Sequence, residues 1–527
     1  MTTYLLSFLV FLPLVGSGVI VFLPSAQKQW YKWIVLGFCA IEVLFAGILY
    51  FYFQPNIAGY QFVEKADWIT LSLGDLGIVS IDYLLGIDGI SLPLVMLTAV
   101  VMLVGAISSW TISYHEKAYF SLYLLLTTSI MGCFVALDFF LFFLFFEFML
   151  LPMYFLIGLW GGPRREYASI KFFLYTLMGS LLILIVMIGL YLSVIDPHAS
   201  ELMGSWVHTF DLRYMTDGRN YLPDSLLSLS GEVNLFGMPS RMLAFWLLFI
   251  GFAIKLPIVP LHTWLPDAHV EAPTPVSVVL AGVLLKIGGY GLLRIAYPIF
   301  PDAANEYAFV LASLGVASII YGGFNALAQN DLKKMIAYSS VSHMGFVVLG
   351  IGSLTAEGIN GAVYQMVSHG ILSAMLFLVV GVLYDRTHNR LIDSYRGLVG
   401  LMPVFAIITG VAFFASLGLP GFSGFVGELF TLMGGFQSAV LPTWLVALGT
   451  LGIVLAAAYF LWTFQRLFFG PLWAKNTTDL TLLSDLNFHE KIMLVPLSVL
   501  TFLLGIFPSF LFQLSDKTIA ELIKIFE

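Results

Sequence analysis

The sequence predicts an all-α polytopic membrane protein with about fourteen transmembrane helices. Three observations support this fold class: 60% of the residues are hydrophobic, only 10% are charged, and long apolar runs recur along the chain. A soluble domain carries about 25% charged residues. The apolar runs are about 17–25 residues long, which is the length of helix that crosses a bilayer. Almost the whole chain is therefore expected to lie in lipid.

The first run, 4–23, has neither a charged segment before it nor a small-residue cleavage site after it. We interpret it as a mature first helix and not as a cleaved signal. Further runs follow at regular intervals to residue 513. The two longest stretches between them, 54–87 and 195–240, are polar and contain no catalytic motif, so we expect them to form surface structure.

Two of the predicted spans are interrupted near the middle of the membrane. In the seventh, 241–261, two prolines follow Lys255, and a proline removes a backbone N–H and breaks a helix. The twelfth, 403–436, contains Pro420 and four glycines between residues 418 and 427. Broken helices in corresponding positions of two halves are typical of transporters built from repeats. We therefore predict discontinuous helices 7 and 12 and two repeats of five helices each.

These repeats define the expected organisation of the chain. Residues 1–117 form helices 1–3, and residues 118–299 form the first repeat, helices 4–8. Residues 300–466 form the second repeat, helices 9–13, and residues 467–527 form helix 14 and a tail.

Six ionisable side chains lie near the centre of predicted spans: Glu147, Lys255, Lys286, His343, His369 and Glu428. A lysine at this depth costs roughly 2.5 kcal/mol or more on insertion scales. Such residues usually mark an ion or proton pathway. The alternatives are a structural ion pair for Glu147 and hydrogen-bonded core positions for the two histidines. We interpret His262 and His269, which follow the break in the seventh span, as structural.

Carboxylates and lysines suit proton transfer in a membrane for a physical reason. Burial disfavours the charged form of both groups, and an opposite charge nearby restores it. A change in the distance between a glutamate and a lysine therefore moves a proton, and histidines with internal water relay it. The pattern predicts a proton pathway in preference to a site for a neutral solute.

Redox and nucleotide chemistry are not expected in this chain. Its two cysteines, Cys39 and Cys133, both lie in apolar runs and match neither a cluster motif nor a disulfide framework. His262 and His269 have poor spacing for zinc. The chain shows no dinucleotide fingerprint, no P-loop and no basic stripe for nucleic acid. We expect no cofactor.

Positive charge is distributed unevenly between the two sets of loops. The richer set holds Lys28, Lys32, Lys117, Arg164, Arg165, Lys333, Lys334, Arg386, Arg390, Arg396 and Lys475. Because basic loops stay in the cytoplasm, both termini are expected on the periplasmic side of a bacterial inner membrane.

Five segments resemble the antiporter-like membrane subunits of respiratory complex I and of Mrp-type cation/proton antiporters. The most specific is FAIKLPIVPLHTWLPDAHVEAPTPVSVVLAG from Phe252; the others begin at Phe145, Asn330, Tyr364 and Ser416. Together they cover nearly the whole chain. The resemblance implies fourteen helices, two inverted five-helix repeats and a polar axis through the membrane midplane.

The resemblance also implies a role for each buried charge. Glu147 and Lys255 match the paired glutamate and lysine of a first half-channel, and Lys286 matches the central lysine. His343 and His369 match the linking histidines. Glu428 matches the terminal acid of the second half-channel, where the L- and N-type relatives carry lysine.

The resulting expectation is a proton-translocating subunit of NADH–quinone oxidoreductase. L- and N-type neighbours are its expected partners, with NAD, FMN, iron–sulfur clusters and quinone held by other subunits. One alternative is a subunit of a multi-subunit Na⁺/H⁺ antiporter, and another is the plastid or cyanobacterial version of the same subunit. A scaffold without transport is disfavoured, since leucine at the buried charged positions would make it more stable.

Overall fold

The computed structural model describes residues 4–72, 78–229 and 233–526 and consists mainly of helices. The helices of the N-terminal half are α1 Leu5–Phe22, α2 Gln29–Tyr52, α3 Ser91–Ser108, α4 Glu116–Val135, α5 Phe139–Phe148, α6 Leu150–Trp160, α7 Arg165–Ser193, α8 Pro197–Met203, α9 Leu212–Met215, α10 Ser240–Lys255 and α11 Trp264–Glu271.

The helices of the C-terminal half are α12 Thr274–Val279, α13 Leu285–Gly291, α14 Tyr297–Ile299, α15 Pro301–Leu327, α16 Leu332–Gly352, α17 Ala356–Thr387, α18 Pro403–Ser416, α19 Ser423–Gln437, α20 Thr443–Phe468, α21 Asp479–Leu482, α22 Phe488–Ile506 and α23 Ser509–Ile523. Two π-helical turns, Leu280–Leu284 and Leu292–Ala296, join α12, α13 and α14 into one continuous segment.

Among the described residues, 12 helical segments are long and apolar enough to cross a membrane. The two remaining predicted crossings correspond to the pairs α10–α11 and α18–α19, in which each helix is too short to span alone. The structure has both predicted helix breaks. One lies between Lys255 and Trp264, and the other lies between Ser416 and Ser423. The repeat boundaries remain a prediction.

Local chemistry explains both breaks. After Lys255, Pro257 and Pro260 have no N–H to donate, and the N–H of Ile258 bonds back to the carbonyl of Ala253 before the chain leaves α10. Between α18 and α19, Gly418 and Gly421 have φ angles of +81° and +97°, a conformation that L side chains rarely adopt.

The helices form a central group surrounded by peripheral ones. All of the apolar window of Thr274–Ile299 and of α17 is buried, as is 94% of that of α16. Only 28% is buried in α2 and in α22, whose outer faces are available to lipid. The central group carries Lys286, His343 and His369.

The extramembrane segments contain structure that the sequence did not indicate. The strands are β1 Gln61–Ser72, β2 Ile78–Ile87, β3 Val207–Thr209, β4 Asn234–Leu235, β5 Met238–Pro239, β6 Tyr395–Arg396 and β7 Trp473–Ala474. β1 pairs antiparallel with β2, and β2 pairs parallel with β3, in the register Ile78↔Val207. This sheet joins the two long polar stretches at one end of the bundle.

The C-terminal tail, expected as an extension after the last span, is helical. α23 packs closely on the start of α3, because the hydroxyl of Thr518 accepts from the N–H of Gly89 at 3.1 Å. Ser515 donates to Oδ1 of Asn360 at 2.6 Å and so fixes the tail to α17.

Candidate functional site: a line of buried charges

Lys255 is the last residue of α10 and is only 2% exposed. Its Nζ has no hydrogen-bond partner among the described residues. The ammonium lies 4.6 Å from the ring centroid of Phe146 and 5.9 Å from that of Phe172. Aromatic faces attract a cation but do not accept its protons as an oxygen would. Lys255 is therefore held in position without a strong acceptor.

Glu147 lies next to Phe146 near the end of α5, where the chain turns at Met149 before α6. Its Oε2 has no hydrogen-bond partner in the described part of the chain. The carboxylate lines a groove of about 490 Å³ whose other walls are apolar, including Leu144 and Phe148.

In this structure no ion pair within 4.0 Å joins Glu147 and Lys255, because the Lys255 ammonium lies over aromatic rings and Glu147 borders the groove. The functional pairing that the resemblance implies for these two residues remains a prediction.

Lys286 lies at the centre of the molecule and is completely buried. Its Nζ donates to the carbonyl oxygen of Ala281 at 2.5 Å and lies 2.7 Å from Nδ1 of His369. Ala281 belongs to the π-helical turn before α13, and such turns change the helical hydrogen-bond pattern. Ala281 can accept a hydrogen bond from a charged Lys286, whereas His369 can also accept its proton.

Gly288 brings α13 against the broken end of α10. A Cβ atom there would lie 2.6 Å from the carbonyl oxygen of Phe252 and 2.7 Å from the N of Leu256. A side chain at this position would separate the helices that carry Lys286 and Lys255.

The line continues from His369 through His343 to Glu428. The two imidazole rings have centroids 5.7 Å apart, and Nδ1 of His343 lies 3.0 Å from Oε1 of Glu428. All three side chains are at most 4% exposed. Lys286, His369, His343 and Glu428, which come from four different helices, form what we call the central line.

A small cavity lies beside the central line, bordered by His343, Gln365, His369 and Glu428. Its volume is about 10 Å³, close to the minimum that admits one water molecule. Three atoms of its lining have no partner among the described residues, namely Nε2 of His343, Oε1 of Gln365 and Oε2 of Glu428. The cavity is therefore suited to one bridging water.

His269, which we interpret from the sequence as structural, lies within α11. It is completely buried in α11, stacks on Phe377 at 4.4 Å, and neither ring nitrogen has a partner within the described ranges. The available signal was its position seven residues beyond His262, inside a helix after the break. His262 packs against Tyr321, and its Nδ1 likewise has no hydrogen-bond partner among the described residues.

Lys333 reaches a polar cavity of about 500 Å³ at the end of the bundle that carries the basic loops. Its Nζ donates to the carbonyl of Ala272, and the side chains of Glu271, Asp385 and His388 also line the cavity. The cavity thus extends from the surface to Lys333.

Comparison with known proteins assigns this arrangement to a class. The profile of the family described as "NADH:quinone oxidoreductase/Mrp antiporter, TM" matches residues 136–456. NADH-quinone oxidoreductase subunit M of Rhodobacter capsulatus is 42% identical over 99% of this chain and 96% of its own length. Subunit M of Rickettsia felis is 39% identical over 99% of both. A chain 4 of NAD(P)H-quinone oxidoreductase from Thermosynechococcus vestitus is 38% identical over 97% of this chain and 90% of its own.

Solved structures agree with these relatives. A chain of respiratory complex I from Thermus thermophilus superposes with a TM-score of 0.81 at 29% identity, covering 99% of this chain and 100% of that one. A chain of the Mrp complex from Dietzia sp. DQ12-45-1b gives 0.79 at 19% identity, over 100% of this chain and 99% of that one, and so shares the fold. The predicted all-α polytopic fold is confirmed.

A helical membrane bundle with two interrupted crossings and a buried line of ionisable groups defines an antiporter-like membrane subunit. The chain belongs to the NADH:quinone oxidoreductase/Mrp antiporter family and, within it, to subunit M of NADH-quinone oxidoreductase. It is a multi-pass membrane subunit of a proton-translocating complex of the bacterial complex I type, and the antiporter alternative is less favoured.

Proposed function

We propose that protons cross the membrane arm through the central line of this subunit. The observation that carries the proposal is the sequence of contacts from Lys286 to His369 at 2.7 Å and from His343 to Glu428 at 3.0 Å. Each of the four side chains binds and releases a proton, and together they connect four helices across the core. A purely structural core would satisfy these positions at lower cost with apolar residues.

The geometry suggests the order of transfer. A protonated Lys286 donates through Nζ to Nδ1 of His369, which then carries protons on both nitrogens. Release from Nε2 of His369 to one water in the 10 Å³ cavity allows that water to protonate His343. His343 passes a proton from Nδ1 to Oε1 of Glu428. The number of protons is conserved at each step, and Lys286 is left neutral.

In the first half of the subunit, the distance between the Glu147 carboxylate and the Lys255 ammonium changes during transport. With the carboxylate away, the buried Lys255 ammonium has only aromatic faces near it and releases its proton more readily. Approach of the carboxylate favours the charged lysine. The structure thus has the state in which Glu147 and Lys255 are separated. Conversion between this state and the one in which they are close moves a proton toward Lys286.

Protons reach Lys286 from the basic end of the bundle through the 500 Å³ cavity, Lys333 and His269. With basic loops in the cytoplasm, this cavity opens on the cytoplasmic side and both termini are periplasmic. L- and N-type subunits flank the chain in the membrane. The redox cofactors, namely NAD, FMN, iron–sulfur clusters and quinone, belong to other subunits.

The test removes one member of the central line and leaves the rest. In the reconstituted complex, His369→Gln should lower NADH-driven proton uptake by about tenfold or more, as loss of a proton-transfer group does in acid–base reactions. His198→Gln, at an exposed histidine outside the line, is the matched control. Normal proton uptake by an assembled His369→Gln complex would refute the proposal.

A further inference from the structure

A groove of about 770 Å³ opens on the outer surface of the bundle, at the same end as the basic loops. The end of α1, the connection before α2, the start of α4 and the end of α6 form its walls. We call it the basic groove. None of its lining residues takes part in the central line or in the cavity at Lys333.

The rim of the basic groove carries excess positive charge. Lys28 and Lys117 both line it, and within the described ranges the side chain of neither forms an ion pair or a hydrogen bond. Glu116 is the one carboxylate among the described lining residues, and as the first residue of α4 it faces the positive end of that helix. Two lysines against one carboxylate favour an anion.

Ser121 supplies a second, independent sign of a ligand. It lies one helical turn beyond Lys117 and lines the same groove, yet it is only 7% exposed. Its Oγ has no hydrogen-bond partner in the described part of the chain. An unpaired buried hydroxyl is unfavourable by about 1–3 kcal/mol. A partner for Ser121 is therefore expected from outside the chain.

The rest of the groove is apolar. Val21, Leu122, Phe155 and Leu159 line it, and three of them are strongly exposed, at 51%, 37% and 44% for Val21, Phe155 and Leu159. In a membrane these side chains meet hydrocarbon. From its aqueous end inward, the groove is therefore lined first by lysines, then by the buried hydroxyl of Ser121, and then by apolar side chains.

We propose that the basic groove binds one anionic phospholipid. The phosphate lies between Lys28 and Lys117, since clustered lysines at a membrane surface attract anionic lipid headgroups. The Ser121 hydroxyl donates to an ester oxygen of the glycerol backbone. One acyl chain follows Val21, Leu122 and Phe155. A lipid presents these three chemistries in this order, which a protein segment or a soluble anion does not.

The test uses the whole complex in nanodiscs that contain a photoactivatable phosphatidylglycerol. Labelling of segment 113–122 is measured by mass spectrometry. The double variant Lys28→Gln/Lys117→Gln should reduce this labelling about tenfold, equivalent to about 1.4 kcal/mol. Lys475→Gln/Lys491→Gln removes the same charge from exposed lysines at the same end, outside the groove, and should leave labelling unchanged.

Two further measurements keep the test decisive if the double variant assembles poorly. On the wild-type complex, raising the salt to about 1 M shortens the screening length to about 3 Å and should reduce labelling of the segment. Ser121→Ala should reduce it by about threefold, a smaller loss than that of the lysines. Unchanged labelling in the assembled double variant, equal labelling by a phosphatidylcholine probe, or cross-linking of the segment to another subunit would overturn the proposal.

Discussion

The two groups of buried charges in this subunit differ in how they are connected. In the central line, Lys286 contacts His369 and His343 contacts Glu428, at 2.7 and 3.0 Å. In the first half, Glu147 and Lys255 form no ion pair, and the Lys255 ammonium lies 4.6 Å from an aromatic ring centroid. Connected groups conduct a proton whenever one arrives. Separated groups must first move, so the first half is suited to control and the central line to conduction.

The largest effect is expected at Lys286, where the two regions meet. Lys286→Met keeps much of the side-chain volume but removes the proton carrier and the partner of His369. NADH-driven proton uptake by the reconstituted complex should fall by more than about tenfold. Lys475→Met, at an exposed lysine, is the control. Equal proton uptake by both variants would remove Lys286 from the pathway.

The next largest effect tests the controlling role of the first half. Glu147→Ala should abolish most proton pumping while assembly is largely retained, because Glu147 borders an open groove and supports no described ion pair. Its loss removes the carboxylate that sets the charge of Lys255. Quinone reduction and the proton gradient are measured together in vesicles. Pumping at the wild-type level by the assembled variant would show that Glu147 does not act on the pathway.

An intermediate effect is expected at the far end of the central line. Glu428→Lys should retain partial proton uptake and Glu428→Ala should lose most of it, since either an acid or a base can bind and release a proton and alanine cannot. A lysine at position 428 would still contact Nδ1 of His343, with the lysine as the hydrogen-bond donor and the ring nitrogen as the acceptor. The two variants are compared at equal assembly. If the alanine variant pumps as well as the wild type, Glu428 is not the terminal group.

The smallest effect concerns Asp138, which accepts from the N–H of Leu141 and caps the helix that carries Glu147. Burial is the main cause that raises the pKa of Asp138 to about 7; hydrogen bonds from two backbone N–H groups oppose the rise, and the nearby carboxylates of Asp82 and Asp211 contribute to it. An acid with a raised folded-state pKa destabilises the native protein when it ionises. The free energy of unfolding should thus fall as the pH rises from the pKa that Asp138 has in the unfolded chain toward about 7. Above about pH 7 it should level off.

Asp138→Asn cannot ionise and should lack this contribution. The thermal midpoint of the purified complex, measured from about pH 5 to about pH 8, should therefore decline more steeply for the wild type than for the variant. Parallel curves would mean that Asp138 does not titrate in this range.

The sequence predicted the fold class, the two breaks and the depth of each buried charge, because hydrophobic run length and proline or glycine positions are local signals. It could not establish the contact between Lys286 and His369, which are 83 residues apart. It also could not show that the Lys255 ammonium lies over the ring of Phe146. Local patterns cannot determine which of several nearby partners a flexible lysine selects.

The missed elements have other causes. β1 forms only by pairing with β2, and the polar stretch around it gave no independent sign of a strand. α23 was missed because it follows the last span and is less apolar, so the run-length criterion excluded it. The surroundings of His269 depend on the packing of α11 against α17, where it stacks on Phe377, and no local pattern in the sequence shows that contact.

The central claim is that His369 and His343 act in one series, and a double-mutant cycle tests it most directly. Protons taken up per NADH oxidised are measured for His343→Gln, His369→Gln and the double variant, each at equal assembly. Groups in series give non-additive losses, as residues that act as a unit do in enzymes. The double variant should be no more impaired than the more severe single variant. Losses that multiply in the double variant would contradict a single line of transfer.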